Sequence, residues 1–204
     1  MSEKSLKDYH KKRDFTLSSE PFGGEKGTED RDQNIFVIQK HEASSLHYDF
    51  RLLVDGVLKS WAVPKGPSTD PKEKRLAVQT EDHPIEYADF EGTIPKDQYG
   101  GGTVMVWDAG TYENEKKDKK GNEITMQQQL DKGRCTFILH GKKLSGAYTL
   151  IKFGKGDDKN WMLKKVDDEH ADARRNPVST QTKSVLSGRS MAQIKKESDQ
   201  NKNG

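Results

Sequence analysis

The hydrophobic pattern divides the chain into a patterned middle and two polar ends. Residues 1–32 and 171–204 carry no sustained apolar period, whereas residues 33–170 alternate apolar and polar positions in short runs. The runs are NIFVIQ, LHYDFRLLV, VLKSWAV, RLAVQT, TVMVWDAGTYE, CTFILH, GAYTLIKF and NWMLKKV. Each is rich in Val, Ile, Phe, Trp or Tyr and is bounded by Gly, Pro or Asp. That is the signature of strands whose side chains point alternately to two faces. About eight such strands predict a mainly β fold: a small closed or nearly closed β-barrel with short helices and flexible termini. The helices allowed are KEKR after Pro71, a piece around Met126–Leu130, and stretches near the ends. ENEKKDKKGNE and GKGDDKN read as hairpin loops, and no internal repeat is present. Residues 1–32 form an N-terminal arm ending in the flexible connector GGEKGTEDRD. The polar tail, 171–204, reads as disordered or weakly helical.

One hairpin fixes a register. Asp55-Gly56 in LLVDGVLK is a two-residue turn signal, because both positions of such a turn favour residues that tolerate positive φ. It pairs Val54 with Val57, Phe50 with Trp61 and Tyr48 with Val63 on an apolar face. The other face sets Arg51 against Ser60, Asp49 against Ala62 and His47 against Pro64, leaving space above the sheet. Gln39 and His41 share parity on the preceding run. His-x-Asp on a strand turns an imidazole nitrogen and a carboxylate oxygen towards one point. Alone, such a pair is commonly just hydrogen-bonded. With His41, Gln39 and Arg51 nearby and small residues opposite, His41, His47 and Asp49 form a facial ligand set suited to Mn²⁺, Fe²⁺ or Zn²⁺.

Other residues add chemistry less directly. His83 precedes Pro84, which holds it extended. It follows RLAVQT, with Arg75 at that strand's start and Tyr87 four residues on. A guanidinium fork and an imidazole near a metal suit phosphate chemistry, although spacing alone equally allows a loop histidine and a strand-end arginine. Lys65, in VPKGPS, is either a phosphate contact or an ordinary exposed lysine. QYGGGT lacks the Lys-Ser/Thr of a phosphate-binding loop and opens a strand, so its glycines read as a tight bend. His10, His140 and His170 have no partner at ligand spacing.

Composition sets the surroundings. Charged residues make up 33% and the hydrophobic set 30%, with mean hydropathy −1.02, too polar for every residue to be packed. The net charge of +2 leaves any polyanion binding to local arrangement. The single cysteine, Cys135, excludes an internal disulfide framework and, within RCTFILH, reads as a buried structural thiol. The chain has no apolar stretch of membrane-spanning length and no signal-peptide core at its start. The expectation is a cytoplasmic protein without a membrane partner.

The run FVIQKHEASSLHYDFRLLVDGVLKSWAVPKGPS, followed by HPIEYADFEGTIPKDQYGGGTVMVWDAGTYE, closely resembles the 3′-phosphoesterase module of bacterial DNA ligase D, in a stand-alone form. The resemblance extends from about Tyr9 to about Asp168. It implies a small β-barrel enclosing a polar groove. It also implies Mn²⁺-dependent trimming of nucleic-acid 3′ ends: removal of a terminal ribonucleoside, then of the 3′-phosphate, leaving a 3′-OH for non-homologous end joining. Carried onto this sequence, the metal ligands are His41, His47 and Asp49, and the catalytic companions are Arg51, Arg75, His83 and Tyr87. Gln39 and Lys65 are substrate contacts, and RDFTLSSEP brings Arg13, Asp14 and Glu20 back to the site. The expected partners are DNA or DNA–RNA primer-template ends. The sequence carries no ligase or polymerase domain, so the expectation is that it acts alone or finds a ligase, repair polymerase or end-binding protein in trans. Two alternatives stand beside this. A non-catalytic OB-like nucleic-acid module would need exposed aromatics among Lys and Arg. An Fe²⁺/2-oxoglutarate oxygenase would need a distal histidine with an Arg about ten residues on, and neither His83 nor His140 has one.

Overall fold

In a computed structural model, the structure describes residues 6–24, 34–114, 116–154 and 159–201. Nine strands form one antiparallel sheet: β1 (Ile35–Glu42), β2 (Leu46–Val54), β3 (Val57–Val63), β4 (Arg75–Gln79), β5 (Gly92–Ile94), β6 (Gly102–Glu113), β7 (Arg134–Gly141), β8 (Ser145–Lys152) and β9 (Asn160–Lys165). Their order is β1-β2-β3-β4-β9-β8-β7-β6-β5, and β6 also pairs with β1. Eight strands therefore close a barrel, with β5 added at the outer edge of β6. The eight sequence runs correspond to the eight ring strands. The three-residue β5 was too short to leave a period.

The hairpin register is the one the sequence implies. Asp55 (φ 50°) and Gly56 (φ 81°) make the turn, and Val54 pairs with Val57, Phe50 with Trp61, Asp49 with Ala62 and Arg51 with Ser60. Pairing stops at Tyr48 and Val63, so Pro64 does not continue it. On the other side of β2, Gln39 lies opposite Asp49 and His41 opposite His47.

Two apolar layers sit on opposite sides of this wall. The first draws on all eight ring strands and fills the interior, around Trp61, Trp107, Phe50, Phe137 and Leu150. Cys135 belongs to it, fully buried and unpaired, and burial pushes its thiol up to about 12. The second layer lies outside β1, β2, β3 and β6, where Val37, Leu53, Leu58 and Val106 pack under the N-terminal arm and the 3₁₀ turn Ile85–Asp89. The interior is thus a packed core. Rather than being enclosed by the barrel, the polar groove lies on its outer wall.

Two segments differ from expectation. KEKR is not helical, because the chain after Pro71 turns and passes into β4. Helix α1 (Lys7–Lys11) lies in the N-terminal arm, and α2 (Met126–Asp131) forms where predicted, behind a capping box of Thr125 and Gln128. The described part of the tail is folded. It carries α3 (Pro177–Thr180) and α4 (Met191–Asn201), and buries Ile194 at 1% exposure in the main core. Its backbone takes hydrogen bonds that the barrel cannot satisfy within the sheet. Gln181 O accepts from Trp107 Nε1 (2.7 Å) and Lys143 Nζ (3.0 Å), and Val185 N donates to Val106 O (3.0 Å). A β-bulge shifts the β1–β6 register between Ile38 and Gln39, opposite this Val106, whose own N–H is met by Glu91 Oε1 at 2.9 Å. The tail is polar by composition, yet a few anchors suffice to hold it. Most of the connector stretch 23–32 and of the β8–β9 loop GKGDDKN lies outside the described residues. Lys117 and Glu123 bridge within the other charged insert, making a small hairpin of it. Among the described residues no helix is long and apolar enough to cross a membrane.

Candidate metal centre and anion cleft

A cleft of about 270 Å³ opens on the outer wall over β1, β2 and β3. Its floor holds His41, His47 and Asp49, each offering one ligand atom, all within 4.8 Å of one another. Parity explains why they meet. His47 and Asp49 point the same way from one strand, and the β1–β2 register puts His41 beside them.

The histidines are already oriented. His41 Nε2 lies 2.8 Å from Gly100 O, and His47 Nδ1 lies 2.9 Å from Ser45 O. A carbonyl only accepts, so these nitrogens carry the protons. His41 Nδ1 and His47 Nε2 are left with lone pairs, 3.5 and 3.6 Å from the Asp49 oxygens. Burial opposes charge on Asp49, but the Arg51 guanidinium beside it outweighs that and holds the carboxyl down at about 2. Two imine lone pairs and an ionised carboxylate, with outer ring nitrogens pinned to carbonyls, are the donor set of a divalent transition metal. The residues fit the metal that the resemblance implies.

Beside this floor lies a cationic pair around an imidazole. Arg51 Nη2 donates to Asp49 (3.2 Å), its Nε to Gln39 Oε1 (2.8 Å) and its Nη1 to Ser60 Oγ (2.8 Å). Arg13, from the arm, donates through Nε to Glu20 (2.9 Å) and through Nη1 to Glu81 (3.0 Å). Its Nη2 sits 3.2 Å from His83 Nε2. Arg51 Nη1 lies 3.0 Å from His83 Nδ1, which also sits 2.9 Å from Glu81 O, so a guanidinium faces each nitrogen of the ring. Burial, then Arg51 and Arg13, press the His83 pKa well below its ordinary value, so the resting ring is neutral. Tyr87 packs edge-on against it at 4.8 Å between centroids and donates to Glu20 at 3.0 Å. Burial, followed by Glu20, keeps that phenol protonated.

Of the residues marked in the sequence, His41, His47, Asp49, Arg51, His83, Tyr87 and Arg13 line the cleft. Glu20 and Gln39 are buried behind it. Glu20 takes Arg13, Ser18 and Tyr87, and Gln39 joins Arg51 to the Tyr87 and Phe90 carbonyls. Three others are not brought there. Arg75 shares a face with Ala77, an interior residue, and so faces away from Val78, which pairs with the cleft residue Ala62. Arg75 instead pairs with Glu73 and lines a separate cleft with Ser68 and Arg175. Lys65 is exposed outside the cleft, and Asp14 is exposed and caps a turn at Thr16. Sequence reasoning placed Ser60 only opposite Arg51, and gave no site role to Glu81, Tyr9, Tyr99 and Gly100. Only Glu81 had a local signal, sharing parity with His83 in an extended stretch. The others reach the site through long-range folding.

Fold and cleft together define a class: a closed antiparallel β-barrel whose outer wall carries a group able to hold a metal ion next to paired guanidiniums. The DNA ligase D 3′-phosphoesterase domain model matches residues 39–152. With more than half of it so matched, the chain belongs to the DNA ligase D 3′-phosphoesterase family. Similar proteins include the multifunctional non-homologous end joining protein LigD of Pseudomonas aeruginosa, 46% identical over 193 residues, or 93% of this chain. LigD of Mycolicibacterium smegmatis is 44% identical over 172 residues, 80% of the chain. The non-homologous end joining DNA repair protein LigD of Mycobacterium tuberculosis is 45% identical over 147 residues, 72% of the chain. The matched segments make up only 22%, 21% and 18% of those relatives, so the chain spans about a fifth of their length.

Proposed function

We propose that this chain is a metal-dependent phosphoesterase acting at nucleic-acid 3′ ends. It removes a 3′-terminal ribonucleoside as a phosphodiesterase and a 3′-phosphate as a phosphomonoesterase, leaving a 3′-OH for repair and ligation. The observation that carries this reading is one cleft in which two histidine lone pairs and the Asp49 carboxylate converge within 4.8 Å, flanked by Arg13 and Arg51. A metal set alone names no substrate. Paired guanidiniums aimed into the same space select a tetrahedral oxyanion.

His41, His47 and Asp49 would hold a divalent cation, Mn²⁺ by the family resemblance, which supplies Lewis-acid polarisation of a phosphoryl oxygen. Arg51 has two tasks, holding Asp49 in place and offering N–H to a phosphoryl oxygen as charge builds there. Arg13 offers a second fork, kept rigid by Glu20 and Glu81. His83 begins neutral, with Arg13 at its Nε2 and Arg51 at its Nδ1. A phosphate dianion facing the ring draws Arg13 to itself and raises the ring's proton affinity, so Nε2 can carry the proton that the leaving oxygen takes up. Tyr87, protonated throughout, acts as a donor and as the wall against which His83 is held.

The substrate class is a DNA or DNA–RNA primer-template 3′ end, and the 3′-OH product is what a ligase or repair polymerase in trans would use. The test is a duplex whose primer ends in a 3′-phosphate or a single ribonucleotide, incubated with Mn²⁺ or EDTA and resolved to one nucleotide. Mn²⁺-dependent formation of a 3′-OH is expected. His41→Ala and His83→Ala should each lower the rate by at least about 100-fold while the fold persists. A 3′ end unchanged by metal would sink the proposal.

A further inference from the structure

We propose that Tyr99 is the platform on which the 3′-terminal nucleobase stacks, which makes it a specificity-determining residue of the cleft; this rests on the function proposed above. The polar floor accounts for a phosphate, but a polynucleotide end also brings a sugar and a base. Tyr99 and Tyr87 are the aromatic phenols lining the cleft, and they differ in exposure. Tyr87 is buried, whereas Tyr99 leaves 48% of its surface open. With Ala43 and Ile94, Tyr99 forms an apolar wall beside the ligand set.

The ring is placed by a rigid loop. Gln98 N bonds Pro95 O and Gly101 N bonds Gln98 O, both at 3.0 Å. Gly101 and Gly102 are seated where a Cβ would collide with the Pro95 and Glu42 carbonyls, respectively. The next residue after Tyr99 is Gly100, whose carbonyl lies 2.8 Å from His41 Nε2. One turn therefore fixes both a metal-ligand histidine and the exposed ring, and so sets the distance between phosphate and base. Lys12 Nζ, ion-paired with Glu81 at 3.0 Å, lies 4.6 Å from the Tyr99 centroid and sets a cation beside the ring. Stacking reads a π-face that every base has, which suits an activity required at any broken end.

The competing role for Tyr99 is its hydroxyl, which accepts from Lys12 at 3.2 Å and lies 3.5 Å from Glu81. Two variants separate the roles. In steady-state release of a 3′-phosphate from a duplex primer, Tyr99→Ala should raise KM about tenfold with a smaller fall in kcat, and Tyr99→Phe should restore KM. A second primer ends in 2-aminopurine with a 3′-OH, so no reaction is needed for its readout. Its fluorescence should be quenched by the wild type and by Tyr99→Phe, and not by Tyr99→Ala. Unchanged KM and quenching in Tyr99→Ala would overturn the proposal. So would a Tyr99→Phe variant as impaired as Tyr99→Ala, or a loss confined to kcat. Wild-type quenching without phosphate release would support the stacking contact while overturning the proposed reaction.

Discussion

His83 shows how a single residue's surroundings set its chemistry. Burial and two guanidiniums hold its imidazole well below 6.5 in the folded chain, while the unfolded chain takes up a proton near that value. The folded pKa is depressed, so the stability linked to a neutral His83 is present above about pH 6.5 and is lost as pH falls below it. Between about pH 7.5 and about pH 5, Tm should fall more steeply for the wild type than for His83→Gln in parallel melts. Equal slopes would show that the ring titrates normally. Much of this residue chemistry was legible in the sequence where one strand carries it. His47, Asp49 and Arg51 share a face by parity, and the Asp55-Gly56 turn fixed what lies opposite. Arg75 was marked by its place at a strand's start and by resemblance, neither of which gives a facing, and its side chain lies with Glu73 and Arg175.

At the scale of elements, two short segments carry more than their patterns announce. The turn from Pro95 to Gly102 pins His41 through the Gly100 carbonyl, and Gly101 lies where a methyl group would meet backbone. Gly101→Ala should displace the turn, free the His41 ring and weaken Mn²⁺ affinity about tenfold or more, read by metal titration. The tail helix α4 is similar. Ile194 is buried at 1% exposure, the sole residue of that helix among the fully buried core members. Ile194→Ala should lower unfolding free energy by about 2–4 kcal/mol in urea denaturation, whereas a loosely attached helix would show almost no change. Neither segment was predictable from periodicity. The glycines of QYGGGT read as a tight bend, but nothing in the sequence brings that bend to His41. A tail held by isolated anchors and by backbone bonds to Trp107, Lys143 and Val106 resembles a disordered segment in composition.

For the whole molecule, the count of strands was readable but the closure was not, because β1 meets β6 across 59 intervening residues and only three-dimensional pairing brings them together. That closure makes β1 part of two layers, interior core on one side and cleft on the other. A ligand on the outer wall is thereby coupled to the fold as a whole. Mn²⁺ bound to the folded chain at 100 times its Kd should stabilise it by about 2.7 kcal/mol, a rise in Tm of roughly 5–10 °C. Asp49→Asn should remove that rise, and a metal-insensitive wild-type melt would argue against the centre independently of any activity.

The same closure gives the lone thiol a use as a clock. Cys135 is sealed in the barrel interior, its ionisation pushed up to about 12, and it is the chain's only cysteine. An alkylating reagent reaches it only when the wall parts, so every labelled molecule records one opening. When labelling is slower than reclosing, its rate gives the population of the open barrel; when it is faster, the rate constant of opening itself. Barrel breathing could thus be timed with and without metal or nucleic acid, with no label added by mutation.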